Sequence, residues 1–198
     1  QVGGRLKKMT KGLVIARYQP AHISHMEVFD FAKHQGIDEL FVIKGSADKQ
    51  RIPRHPFTPE ECVDMVEMYL KRINIKYSIF PLEDVSQNIK KDDEYLSETD
   101  LKDYERYALM LISKVPKFEV AILGNPTIKV PLERLGYKVI PPMGEMNCSA
   151  TYIRREYALH NDRCEDLLLP EQVDYMDKNG LYDIMKETGL EEFRGELR

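Results

Sequence analysis

The chain has 198 residues, 42% hydrophobic and 31% charged, which suits one well-buried domain of ordinary globular composition. Its net charge of −4 argues against a nucleic-acid-coating protein. No stretch of sequence approaches the ~20 apolar residues of a membrane span. The three cysteines show no paired spacing, so they indicate neither a disulfide framework nor a zinc site and favour a reducing cytoplasm.

Short apolar segments alternate with amphipathic helical segments along the chain. Strands are predicted at 12–16, 39–44, 75–81, 119–123 and 137–140. Helices are predicted at 24–36, 59–70, 98–113, 128–135 and from 149 onward. This alternation predicts an α/β fold with a Rossmann-like parallel five-stranded sheet and helices on both faces. In such a sheet, ligands collect at the carboxyl ends of the strands, near the point where the strand order reverses.

The chain divides into three predicted parts. Residues 1–11 are interpreted as a flexible, basic lead-in, and residues 12–160 as the α/β domain. Within that domain, the acidic segment 83–98 lacks periodicity and is predicted to be a surface insertion. Residues 161–198 are predicted to form a helical extension packed on the same domain, and no chemistry is recognised in them.

The most informative segment follows the first strand and reads Ala16-Arg17-Tyr18-Gln19-Pro20-Ala21-His22-Ile23-Ser24-His25. Two histidines three residues apart at a strand-to-helix junction can face one pocket at a helix N-terminus, which presents free N–H groups and a partial positive charge. Each imidazole can donate a hydrogen bond to phosphoryl oxygens. The alternative is that both histidines are ordinary polar residues capping a surface helix.

This segment closely resembles the Gly-Arg-(aromatic or Met)-Gln-Pro-Phe-His-x-Gly-His signature of archaeal-type nicotinamide-nucleotide adenylyltransferases, within the wider His-x-Gly-His nucleotidyltransferase superfamily. Ala21 replaces the phenylalanine, and Ser24 replaces a glycine that lets the nucleotide approach the backbone. Serine is nearly as small and can cap a helix, so we expect binding to survive. The resemblance implies that the nucleotide contacts Arg17, Tyr18, Gln19, His22 and His25.

A second segment combines Gly45-Ser46-Ala47 with Arg54-His55-Pro56-Phe57-Thr58. It resembles the Gly-Ser-Ala and Pro-Phe-Thr elements of the same enzymes at identical spacing, and implies that Gly45 and Ser46 bind nucleotide. Arg54 falls where the family has a basic loop residue that contacts the triphosphate in some members; the alternative is a solvated loop charge. The family's closing arginine of this segment is Cys62 here.

Two further motifs complete the resemblance. In the first, Ser149, Thr151 and Arg154 begin a predicted helix, where hydroxyls, free amides and a guanidinium would form a phosphate cradle. They match the superfamily's Ser-(Ser/Gly)-Thr-x-(Ile/Val)-Arg motif, whose arginine binds the β- and γ-phosphates. The second, Gly124-Asn125-Pro126, resembles a turn that lines the adenosine pocket. Taken alone, these strings would be a capped helix and a turn.

The resemblance implies transfer of AMP from ATP to a phosphorylated acceptor, with release of pyrophosphate and with Mg²⁺ bound to the ATP rather than to a carboxylate cage. It also implies a homo-oligomer. Catalysis would rest on positioning and charge neutralisation, because the acceptor phosphate is already ionised. The residues implied in catalysis are His22, His25, Arg154 and Arg54.

Three functions stay open at this stage. The first is formation of NAD from nicotinamide mononucleotide, the second is transfer of AMP or CMP to a flavin, pantetheine or polyol phosphate, and the third is nucleotide binding by a weakly catalytic regulator. Archaeal-type members hold the nicotinamide ring with aromatic residues that include a tryptophan, whereas this chain has no tryptophan. Tyr95, Tyr104 or Met143 could supply that surface instead.

Overall fold

A five-stranded sheet of parallel strands forms the centre of the structure, a computed structural model that describes residues 9–84, 98–142 and 148–196. Its strands are β1 (Lys11–Ala16), β2 (Glu39–Gly45), β3 (Lys76–Leu82), β4 (Val120–Ile122) and β5 (Lys138–Ile140). The helices of the described ranges are α1 (Ile23–His34), α2 (Pro59–Arg72), α3 (Glu98–Lys114), α4 (Pro126–Arg134), α5 (Ala150–His160), α6 (Pro170–Lys178) and α7 (Leu181–Glu192). Short 3-10 turns lie at Glu165–Leu167 and Arg194–Glu196.

The strand order is β3-β2-β1-β4-β5. Strands β2 and β3 therefore lie on one side of β1, and β4 and β5 lie on the other side. Strand β1 is therefore paired with both β2 and β4, and the order reverses at this point. Loops that leave the carboxyl ends of β1 and β4 diverge here and open a crevice. The predicted parallel five-stranded sheet with helices is confirmed.

Apolar side chains cover both faces of the sheet. Leu13, Phe41 and Ile43 point to one face and belong to a core cluster that includes residues of α3 and α4. Val14 and Val42 alternate with them and pack with residues of α1, α2, α5, α6 and α7 on the other face. Because both faces are covered, β2 is buried along its whole length, as the apolar run 40–43 predicts, and the burial extends to Glu39 and Lys44 on either side of that run.

Helix α2 begins as predicted from its sequence. Thr58 is the N-cap: its Oγ1 accepts a hydrogen bond from the Glu61 amide at 3.2 Å, and the Glu61 carboxylate accepts one from the Thr58 amide at 2.8 Å. Pro59 occupies the first helical position, where no amide hydrogen is needed. The helix continues to Arg72, two residues beyond the predicted end near Leu70.

Several predicted boundaries are displaced. The lead-in was predicted to extend to residue 11, but Lys11 begins β1 and the Thr10 amide donates to Asp38 at 2.8 Å. Helix α4 begins at Pro126 rather than Ile128 because Asn125 caps it. Residues 1–8 of the predicted lead-in and 85–97 of the predicted insertion lie outside the described residues.

The C-terminal helices pack against the sheet-covering helices. The Gln172 amide of α6 donates to the Met65 carbonyl of α2 at 3.0 Å. Helix α7 lies directly on α5, where a Cβ at Gly189 would be 2.8 Å from the Ala158 Cβ. The absence of a side chain at Gly189 thus lets the two helices approach closely. In the described part of the chain, no helix combines the length and apolarity needed to cross a membrane.

We expect Gly189→Val to destabilise the fold by about 1–3 kcal/mol, because the added side chain must push α7 away from α5. The free energy of unfolding, measured by urea denaturation, checks this. Gly195→Val is the matched control, since a Cβ there meets no heavy atom within 4 Å. Equal effects of the two substitutions would show that close helix contact at Gly189 contributes nothing.

Candidate active site

A cavity of about 620 Å³ opens beside the carboxyl end of β1, between the loop after that strand and the start of α5. It gathers residues from sequence motifs that lie up to 135 positions apart, as between Gln19 and Arg154. The predicted site residues that line it are Arg17, Tyr18, Gln19, His22, His25, Arg54, Ser149, Thr151 and Arg154. Three of the predicted motifs therefore meet at one cavity, as the sequence predicts.

Two helix N-termini border this cavity. Helix α1 begins at Ile23, directly after His22, and α5 begins at Ala150, after its N-cap Ser149. The Ser149 Oγ accepts a hydrogen bond from the Tyr152 amide at 3.1 Å, which leaves its hydroxyl hydrogen free to donate to another group. The first amides of a helix have no partner within it and carry partial positive charge. Two such ends on one cavity favour an anionic ligand.

The two histidines lie in contact, with ring centroids 3.9 Å apart. The Nδ1 of His25 accepts a hydrogen bond from the His22 amide at 3.3 Å, so the neutral ring of His25 carries its proton on Nε2. Burial lowers the pKa of His22 to about 4. Burial, reinforced by His22, also lowers the pKa of His25 well below its ordinary value. At neutral pH both rings are uncharged, and each has one N–H to donate.

Tyr18 and Gln19 line the cavity, and their side chains also contact other parts of the protein. Tyr18 is 1% exposed, and its ring centroid lies 4.8 Å from that of His25. The Gln19 amide nitrogen donates to the Phe57 carbonyl at 3.0 Å, and its oxygen accepts from the Phe57 amide at 2.9 Å. Because both bonds are made by the side-chain amide of Gln19, this side chain joins the two loops. A ligand can use only the hydrogen-bonding capacity of that amide that these two bonds leave free.

Arg154 lies in the cavity wall but does not present an open guanidinium. Its Nε and Nη2 donate to the two carboxylate oxygens of Glu192 at 2.8 and 2.9 Å. Its Nη1 donates to the Gln19 carbonyl at 2.7 Å, and Nη2 also reaches the Thr151 hydroxyl at 3.4 Å. The predicted phosphate-binding arginine therefore holds a carboxylate of the same chain, and only 4% of its surface is exposed.

Sequence reasoning missed Glu192, the last residue of α7. Glu192, Phe193 and Glu196 line the cavity, although no chemistry is recognised in the C-terminal segment from its sequence. Single carboxylates on an amphipathic helix have no distinguishing pattern. Only the packing of α7 on α5 brings Glu192 to Arg154, 38 positions away in sequence.

Two other arginines surround this ion pair. The Arg54 amide donates to Glu192 at 3.2 Å, and its guanidinium Nε lies 3.8 Å from the same carboxylate while the side chain remains 63% exposed. Burial lowers the pKa of Arg17, which Asp84 opposes and both Arg154 and Arg54 reinforce. Arg17 thus shares the cavity with Arg154 and Arg54 and is within electrostatic range of Asp84.

Four predicted nucleotide-binding residues do not line the cavity. Gly45 ends β2, and the Ser46 hydroxyl interacts with Asp84, which also pairs with Lys49 at 2.5 Å. Gly124 is exposed, and the Asn125 oxygen accepts from the Thr127 amide at 3.0 Å as the cap of α4. For Asn125, local helix capping accounts for the residue without a ligand.

The aromatic surface proposed for the acceptor is only partly described. Tyr104 is a buried residue of α3 and does not line the cavity, while Tyr95 and Met143 lie outside the described residues. Tyr107, one turn further along α3, is half-buried. Burial raises its pKa to about 12, with Asp84 adding to the rise and Arg17 opposing it, although Tyr107 does not line the cavity.

The pKa of His22 predicts a pH-dependent stability. The pKa of histidine in the unfolded chain is 6.5, and burial lowers the pKa of His22 in the folded protein to about 4. Between these values the unfolded state binds more protons, so the free energy of unfolding falls as the pH is lowered. We expect His22→Asn to remove up to about 3 kcal/mol of that fall.

Urea denaturation at neutral pH and at mildly acidic pH measures this difference. His160→Asn is the matched control because His160 lies on the exposed end of α5, with 58% of its side chain accessible. If both variants lose stability with acid as steeply as the parent protein, burial of the His22 ring is not the cause.

Solved structures share this fold. A bifunctional NMN adenylyltransferase/ADP ribose pyrophosphatase from Francisella tularensis, complexed with AMP and a manganese ion, matches 90% of this chain with a TM-score of 0.62 at 18% identity. A second structure of that bifunctional protein matches 90% of the chain with a TM-score of 0.67 at 17% identity. The chain spans about half the length of these proteins, 52% and 53% respectively. At this identity the likeness concerns the fold.

Sequence relatives cover nearly the whole chain. The nicotinamide-nucleotide adenylyltransferase of Saccharolobus solfataricus is 31% identical over 83% of this chain and 88% of its own length. That of Pyrococcus furiosus is 30% identical over 96% of both chains, and that of Aeropyrum pernix is 28% identical over 94% of this chain and all of its own. The cytidylyltransferase-like family model matches residues 13–156. This chain therefore belongs to the cytidylyltransferase-like family of nucleotidyltransferases.

Proposed function

We propose that the chain transfers the AMP moiety of ATP to nicotinamide mononucleotide, forming NAD and pyrophosphate. One observation carries the proposal: two helix N-termini, two uncharged imidazoles and three guanidinium groups border a single cavity. Such a concentration of donors and positive charge suits a polyphosphate. The activity of the archaeal relatives supports ATP and nicotinamide mononucleotide as the substrate pair.

In the proposed reaction, an oxygen of the acceptor phosphate attacks the α-phosphorus of ATP. A new phosphorus–oxygen bond forms as the bond to the bridging oxygen of the β-phosphate breaks, and pyrophosphate leaves with that electron pair. The acceptor phosphate is ionised at neutral pH, so no residue need act as nucleophile or general base. The protein instead positions the reactants and stabilises negative charge in the transition state.

His22 and His25 would supply neutral N–H donors to the phosphoryl oxygens. Because burial lowers the pKa of both rings, they keep that form at neutral pH. The Nδ1 of His22 is buried and has no hydrogen-bond partner among the described residues, so a ligand that pairs with this ring would relieve an unfavourable burial. The amides that open α1 and α5 add further donors.

The arginines would balance the charge of the triphosphate. Arg54 and Arg17 approach the cavity from the loops after β2 and β1, and Arg154 approaches from α5. Within the described ranges, no group of three or more His, Cys, Asp or Glu residues could hold a metal ion. We propose that Mg²⁺ would bind together with ATP and neutralise part of its phosphate charge, while the residues named above act on the nucleotide directly. We further propose a cytoplasmic homo-oligomer.

Pyrophosphate release across a matrix of substrates tests the proposed function. ATP and CTP are each combined with nicotinamide mononucleotide, flavin mononucleotide, phosphopantetheine and a polyol phosphate. We expect release only with ATP and nicotinamide mononucleotide, with NAD as the product by mass spectrometry. Turnover with another pair would replace the proposed acceptor or nucleotide, and nucleotide binding without turnover for any pair would indicate a regulator.

His25→Ala tests the role of the imidazole. We expect kcat to fall by about 100-fold or more while KM for ATP changes by less than about threefold, because the donor acts on charge that develops in the transition state. Steady-state kinetics give both constants, and His160→Ala on the exposed end of α5 is the control. Comparable losses in ATP binding and in kcat would indicate that His25 only binds the ground state.

A further inference from the structure

Glu192 occupies the binding face of the arginine that a polyphosphate would use. Arg154 has five N–H donors, and four of them are directed at Glu192, Gln19 and Thr151. The fork formed by Nε and Nη2 holds both oxygens of the Glu192 carboxylate. At most one N–H of Arg154, on Nη1, is left for a ligand among its described contacts. A bidentate phosphate contact therefore requires the carboxylate to move away.

The same carboxylate also holds the loop after β2. It accepts a hydrogen bond from the Arg54 amide at 3.2 Å and lies 3.8 Å from the Arg54 guanidinium. Its side chain is only 8% exposed, so its charge depends on these two arginines for compensation. One anion of the chain thus engages two of the three cavity arginines.

Carboxylate and phosphate are interchangeable partners for a guanidinium fork, since both present two oxygens at matching spacing. They cannot share the fork, and their like charges repel at this separation. Glu192 is also the last residue of α7, where the negative end of the helix dipole disfavours a carboxylate. The α7 dipole therefore does not stabilise the Glu192 carboxylate at this position, whereas its contact with Arg154 does.

We propose that Glu192 is a built-in competing anion, displaced from Arg154 when polyphosphate binds and returning to it as pyrophosphate leaves. The proposal rests on the proposed function, in that the cavity must bind polyphosphate. It assigns Glu192 the role of setting polyphosphate affinity, without contact with the reacting atoms.

A fixed positioning role makes the opposite prediction. If Glu192 stayed on Arg154 in the bound state, it would orient the guanidinium and leave only the remaining N–H for phosphate. Removing its charge would then weaken polyphosphate binding, because Arg154 would lose its orientation. If Glu192 competes, removing its charge strengthens binding. The sign of the change distinguishes the two roles.

Calorimetric titration of the full chain with inorganic tripolyphosphate measures this sign without an acceptor or turnover. We expect Glu192→Gln to tighten binding by about tenfold or more, since the amide cannot compete as an anion. Glu191→Gln is the matched control: it removes the same charge from the neighbouring, exposed position and is expected to change the dissociation constant by less than about twofold. Glu192→Asp keeps the charge but shortens the reach, and is expected to give intermediate affinity.

Binding by Glu192→Gln that is equal to or weaker than that of the parent protein overturns the inference and leaves the proposed function intact. Failure of all the proteins to bind tripolyphosphate overturns both, because the cavity would then not be a polyphosphate site. Weaker binding by Glu192→Asp than by the parent protein likewise contradicts competition. This second variant therefore tests the inference even if Glu192→Gln does not fold.

Thermal unfolding provides the second measurement. Without ligand, we expect Glu192→Gln to melt below the parent protein, because Arg154 loses its anionic partner in a buried site. Saturating tripolyphosphate should abolish most of that difference, since phosphate then replaces the carboxylate. A difference of the same size with and without tripolyphosphate would show that Glu192 still holds Arg154 in the bound state and would end the inference.

Discussion

The buried guanidinium of Arg154 joins three segments that are distant along the chain. It donates to the Gln19 carbonyl after β1, to Thr151 in its own helix and to Glu192 at the end of α7. An unpaired charge at this depth would be strongly destabilising, so the guanidinium needs an anionic partner, which Glu192 supplies in this structure. The cavity wall is therefore assembled around one cation. The same cation is one of the three arginines that line the cavity in the described part of the chain.

The sheet topology brings that cation to a place where a ligand can bind. Because β1 pairs with both β2 and β4, the loops from their carboxyl ends diverge, and two helix N-termini point into the gap. Backbone amides and helix dipoles supply positive potential there without any burial of side-chain charge. The two histidines also provide donors without a buried charge, because burial keeps their rings neutral while each ring retains one N–H.

Local sequence was sufficient for much of the fold. The capping box of Thr58 and Glu61, the continuous apolar run of β2 and the alternation of strands with helices all involve residues close in sequence, and all are present in the structure. The site motifs were recognisable for a related reason. A nucleotide site at a strand-to-helix junction needs small residues, donors and cations at fixed local spacing, so the motif of His22 and His25 survives as a pattern.

The sequence by itself therefore determined the fold class, the family and the three segments that meet at the cavity. Tertiary structure alone decided how the side chains there are used: the Gln19 amide binds Phe57, Asn125 caps a helix, and Glu192 pairs with Arg154. The physical reason is the range of the interactions. Capping and periodicity act over a few residues, whereas the Glu192 contact exists only because α7 packs closely on α5, and no local pattern encodes that approach.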